Sequence, residues 1–160
     1  MKIIYYCFGR AHSSVIAGNI HLGRLPMDRL ATLDEIVNTP EFDKANREDR
    51  GIPFWLGKDS EGNDIYILGL ANQRQLGLQA IFYIIYNRVD LREWKFINTL
   101  QTINWTTRIG GFISRTLKMV FPGRWIVTKG IRSSYWRLVK LVRDVKELNA
   151  DGETQSNHNY

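Results

Sequence analysis

Six apolar or aromatic residues in a row, Ile3-Ile4-Tyr5-Tyr6-Cys7-Phe8, begin at the third position and break at Gly9. An unbroken run of that kind suits a strand covered on both faces, as in a parallel sheet. Gly9 permits a tight turn. Val15, Ile16, Ala17, Ile20 and Leu22 then recur at helical spacing, with Ser13 or Ser14 as the expected N-cap. The opening unit therefore reads as strand, loop and helix start.

Farther on, Thr32-Leu33-Asp34-Glu35 fits a capping box, and Thr39-Pro40 stops the short helix it begins. A second short helix or turn is expected over residues 41–46, followed by charged sequence to Gly51 that reads as a lid or an insertion over a sheet edge. Residues 52–56 and 65–68 read as two short strands joined by the turn residues 59–63, which makes a hairpin. Residues 70–87 carry apolar side chains at helical spacing, and residues 96–100 form a candidate strand. The uncharged polar residues Asn98, Thr99, Gln101, Thr102 and Asn104 gather where that strand would end. Ile109, Phe112, Ile113, Leu117 and Val120 predict a helix that Pro122-Gly123 ends. Residues 124–128 read as a strand. Ser133 or Ser134 caps a last helix whose apolar face is Tyr135, Leu138, Val139, Val142, Val145 and Leu148.

Strands separated by helices in this order predict an α/β fold. The simplest arrangement is a three-layer sandwich with a small, mostly parallel, mixed sheet and a β-hairpin insertion. Residues 1–148 are expected to form a single domain, and residues 149–160 a disordered polar tail.

Composition adds three constraints. A chain of 160 residues with 44% hydrophobic content can bury a real core. One cysteine excludes an internal disulfide framework and fits a reducing compartment. The start lacks a leader pattern and no apolar window reaches a membrane span, so the expected location is cytoplasmic, without transmembrane insertion. The formal net charge of +6 is unevenly placed. Residues 1–87 carry 9 Lys+Arg against 10 Asp+Glu, while residues 88–148 carry 13 against 4. A basic half can bind phosphates, nucleic acid or an acidic membrane, or can simply be a solvated face.

The sharpest chemical reading joins two loops. His12, Ser13 and Ser14 follow the first strand, and Arg108, Gly110, Gly111, Ser114 and Arg115 surround the start of a later helix. Converging, they would hold a small anionic, phosphate-bearing ligand or nucleotide. Helix-start N–H groups and hydroxyls would cradle the phosphate, Arg115 would grip it in bidentate fashion, and His12 would act as general acid or base. The bland alternative is a capped turn, a solvated Arg115, and glycines that permit tight packing. The lack of GxGxxG and GxxxxGK[ST] withholds the standard nucleotide assignments. Cys7 could act as a nucleophile, yet a cysteine inside an apolar strand usually behaves as a small buried hydrophobe. Histidine and cysteine spacings give no metal motif, and no cofactor is named.

Three stretches resemble a single family: IIYYCFGRAHSSVIAGNIHLGRLP, FDKANREDRG with GKDSEGNDIYILG, and RIGGFISRTLKMVFPGRWIVTKGIRSSYWRLVKLV. It is a family of small proteins from spore-forming Firmicutes described as a domain of unknown function, and the resemblance covers about residues 2–147. Its pattern keeps His12-Ser13-Ser14, His21, Leu22, Gly23, Pro26, Gly110, Gly111, Ser114, Arg115, Gly123, Gly130 and Tyr135. The chain departs from it at Cys7-Phe8 and Arg10. The resemblance implies one intact domain and a bacterial source, and it selects no reaction. A small hydrolase or transferase is therefore one expectation. The alternative is a non-enzymatic binding or regulatory module whose basic C-terminal face meets nucleic acid, an acidic partner or anionic lipid. A homodimer without a small ligand is a third.

Overall fold

The computed structural model describes residues 1–86, 90, 93–102 and 120–156. Its centre is β1 (Lys2–Cys7), the apolar run at the start of the chain, buried on both faces from Ile3 onward. On one side β1 pairs in parallel with β3 (Asp64–Gly69), and on the other with β4 (Trp94–Asn98). The registers place Ile4 opposite both Tyr66 and Phe96. The outer strand β2 (Phe54–Lys58) runs antiparallel to β3, with a register shift between Trp55 and Gly57. The sheet is mixed, mostly parallel, with strand order β2-β3-β1-β4.

Alternation along the strands divides the core in two. Ile3, Tyr5, Ile65 and Ile67 face α1 (Ser13–His21), α4 (Val120–Ser133) and α5 (Tyr135–Ser156), whose buried residues include Ile16, Ile131 and Leu138. Ile4, Tyr6, Leu68 and Leu70 form a smaller cluster on the opposite face, under Leu78 and Ile81 of α3 (Arg74–Tyr86). The fold is thus α/β, with helices interleaved between strands.

α2 (Leu33–Val37) begins with the expected capping box: Glu35 N–H donates to Thr32 Oγ1, and the Thr32 N–H donates to the Glu35 carboxylate. Arg29, with these bonds, holds the Glu35 carboxyl down at about 2. The chain turns over residues 40–44 and forms no further helix there.

Two expectations change. The N-cap of α1 is His12, with no side-chain cap bond, because the hydroxyls of Ser13 and Ser14 are drawn to other partners. Residues 124–128 lie within α4 and do not form a strand. Val127, Thr128 and Ile131 are buried while Trp125, Lys129 and Arg132 face outward, a helical division. Pro122 and Gly123 lie within α4. α5 is described through Ser156. Asn149 is buried beyond the expected boundary and accepts a hydrogen bond from Lys95 Nζ. The helix expected from Ile109 lies outside the described residues, apart from Val120.

Candidate functional site at the carboxyl ends of the parallel strands

Cys7, Gly69 and Asn98 end the three parallel strands at one edge of the sheet. The chain leaves β1 through α1 on one face and reaches β4 through α3 on the other. Strands β3 and β4 flank β1, so the connections diverge there. In open α/β sheets such a reversal of winding leaves a crevice outside the carboxyl ends of the strands.

Thr99, immediately after β4, is wholly buried at this edge. Its N–H and its hydroxyl both donate to the carbonyl of Tyr6, each at 3.0 Å. With that proton committed, the Ser13 hydroxyl donates to Thr99 Oγ1 at 2.8 Å. Ser14 Oγ lies 3.1 Å from Cys7 Sγ, which also accepts the Arg10 N–H at 3.2 Å. Ser13 and Ser14 thus stitch the first helix to β1 and β4 through their hydroxyls. The N-terminal end of α1 lies at the same edge, and the first N–H groups of a helix lack intrahelical acceptors.

His12 Nε2 stands 3.1 Å from Asp43 Oδ1, with side-chain exposures of 15% and 21%. A carboxylate there requires the proton on Nε2, which leaves Nδ1 of the neutral ring as the proton acceptor. The imidazole meets Phe42 edge-on at 5.4 Å. Arg10 is buried, pairs with Asp49 at 3.0 Å, and lies 4.9 Å over the Phe54 ring. Arg50 covers Phe8, and Arg74 donates to the Ala71 carbonyl.

The loops carrying these groups are tied together by their backbones. Asp43 N–H donates to Ala11 O at 2.9 Å, Gly51 N–H to Gly69 O at 2.7 Å, and Ala71 N–H to Phe8 O at 2.8 Å. Among the described residues, every non-glycine with positive φ belongs to them: Arg10 (56°), Glu41 (66°), Asp43 (59°) and Ala71 (48°). Such conformations are unfavourable for side-chain-bearing residues and persist where surroundings enforce them. Gly69 is required by closeness: a Cβ there would stand 2.9 Å from both Arg10 N and the Gly9 carbonyl carbon.

His12, Ser13 and Ser14 therefore sit together at this edge. Arg108, Gly110, Gly111, Ser114 and Arg115 lie outside the described residues. Asp43 and Asp49, the partners of His12 and Arg10, carry no sequence signal as site groups. The polar run after β4 did mark the neighbourhood of Thr99. Cys7 is a free, buried thiol. No group of three or more His, Cys, Asp or Glu side chains gathers among the described residues, and no described helix is long and apolar enough to cross a membrane.

A second histidine–aspartate pair lies at the other end of α1. Tyr5 Oη is 2.6 Å from His21 Nδ1, and His21 Nε2 is 3.0 Å from Asp59 Oδ2. Burial pushes the His21 pKa down, against the opposing pull of the Asp59 hydrogen bond. Burial would raise Asp59, but hydrogen bonds from the Asn63 side chain and backbone, helped by those from His21 and Glu61, hold it below its ordinary value. Burial, aided by the Asp59 charge, pushes the Tyr5 phenol up. With side-chain exposures of 0% and 2%, the His21–Asp59 pair has no face for a substrate.

The family model described as "Protein of unknown function (DUF3189)" matches residues 2–147. No curated protein and no solved structure matches the chain.

Proposed function

We propose, for a chain that belongs to the DUF3189 family of proteins of unknown function, that the crevice between β1 and β4 binds a small phosphate-bearing ligand or nucleotide. The observation that carries this reading is the reversal of winding at β1, with the N-terminus of α1 lying at that edge without a side-chain cap. Helix-end N–H groups favour an anion. Arg10, Arg50 and Arg74 add positive charge to the same edge, partly offset by Asp43 and Asp49. His12, oriented by Asp43, supplies a proton acceptor at Nδ1 if the ligand is hydrolysed or transferred. Arg108, Gly110, Gly111, Ser114 and Arg115 enter this reading from the sequence alone. So do the three-layer sandwich, the hairpin as an insertion, the cytoplasmic location and a source in spore-forming bacteria.

The test is a thermal-shift screen of inorganic phosphate, nucleotides and sugar phosphates, followed by titration calorimetry on any compound that stabilises the chain. The expected result is saturable binding that Arg115→Ala weakens by about 1.5–3 kcal/mol, the worth of a charged hydrogen bond. Unchanged affinity removes Arg115 from the site. Failure of every phosphate compound to bind overturns the reading.

A further inference from the structure

The outward faces of α4 and α5 point to a different partner. Trp125 and Trp136 are 50% and 51% exposed, and Ile126 and Leu148 are 39% and 64% exposed. The same two helices are basic: residues 125–148 hold six Lys+Arg against two Asp+Glu. On α5, Trp136, Lys140 and Arg143 recur along one exposed row. Between the segment leading into α2 and the helix α4 lies a cleft of about 310 Å³, lined by Leu30, Leu33, Lys129, Arg132 and Ser133.

Two polyanions suit exposed tryptophan beside arginine: a single-stranded nucleic acid, whose bases stack, and an anionic bilayer, whose interface takes amphipathic rings. The geometry favours the bilayer. Lys129 Nζ lies 3.5 Å over the Trp125 ring and covers one of its two faces, which leaves less of that ring for a base. Ile126, next to Trp125, offers nothing to a base but suits the acyl boundary. The cleft combines a leucine floor with two cations, which matches a lipid with an acidic headgroup better than a sugar-phosphate chain.

We infer that the α4–α5 surface docks on a membrane containing anionic phospholipid, with the tryptophans at the interface and the basic residues over the headgroups. The surface is separate from the proposed phosphate crevice, so either can fail without the other.

Co-sedimentation of the full chain with phosphatidylcholine vesicles, with and without phosphatidylserine, tests this. Binding is expected only with phosphatidylserine, and it should fall as salt rises. Lys140→Gln with Arg143→Gln should weaken it by about fivefold for each cation neutralised. Trp136→Ala should weaken it further. Should those variants misfold, the salt response of the unaltered chain and quenching of its tryptophan fluorescence by brominated phosphatidylserine carry the test. Equal sedimentation with neutral vesicles, or none with either, overturns the inference. So does tight, salt-sensitive binding of a single-stranded oligonucleotide in place of vesicles, or stabilisation by free glycerol phosphate alone.

Discussion

One nine-residue helix carries a histidine–aspartate pair at each end, and the two pairs differ in almost everything but composition. At the C-terminus of α1, His21 and Asp59 are sealed inside the protein, with Tyr5 as a third member. At the N-terminus, His12 and Asp43 are reached by solvent and sit among loops with enforced positive φ. The helix dipole would favour a charged histidine at the C-terminal end. Burial acts the other way on His21 and wins, holding the ring toward its neutral form. The comparison shows that exposure and backbone setting, not residue identity, separate a structural pair from a candidate catalytic one.

The largest expected effect comes from removing the buried member. His21→Ala should cost about 2–5 kcal/mol in urea denaturation, because it empties a buried site and takes one hydrogen bond each from Tyr5 Oη and Asp59 Oδ2. His12→Ala should cost about 1 kcal/mol, as befits a partly solvated hydrogen bond, while reducing any turnover far more. Equal losses of stability would erase the distinction between the two ends.

Gly69→Ala sharpens the comparison from the other side. The new methyl meets backbone atoms of Gly9 and Arg10, which cannot move without shifting the loop. About 1–3 kcal/mol of destabilisation is expected. Affinity for any phosphate ligand should fall with it, and retention of full affinity would separate that loop from the site. Tyr5→Phe should cost about 1–3 kcal/mol by leaving His21 Nδ1 unpaired. It should leave ligand binding at the opposite edge unchanged.

The smallest effect is a pH dependence. The folded-state pKa of His21 lies below its ordinary value of 6.5, so on acidification the unfolded chain takes up the proton first. The contribution is complete above about pH 6.5 and is lost as pH falls from there toward the folded value, by at most about 1.4 kcal/mol per pH unit. Denaturation midpoints measured across pH 5–8 should show that decline, and His21→Gln should flatten it. An unaltered slope in the variant would assign the dependence elsewhere.

Much of the fold was legible locally. The apolar run of β1, the Thr32–Glu35 box and the helical spacing of α3 are each set by neighbours within a few residues, and each appears where expected. Residues 124–128 misled because Trp-Ile-Val-Thr is too short and too β-branched for periodicity to separate strand from helix. The outcome was decided by what Val127 and Ile131 pack against. At the candidate site, the strand–loop–helix unit announced itself through Gly9 and the residues after it. The partners of Arg10 and His12 did not, since Asp49 and Asp43 come from a charged segment with no periodic signature.

The sequence by itself determined the central strand, the first loop and the capping of the short helix, because those depend on backbone propensities and nearby side chains. Tertiary structure alone decided the strand order, the winding reversal beside β1, and which histidine is sealed and which is reached by water. Those depend on contacts between segments tens of residues apart, such as Ser13 with Thr99 and His21 with Asp59, whose pairing follows from how helices cover a shared sheet.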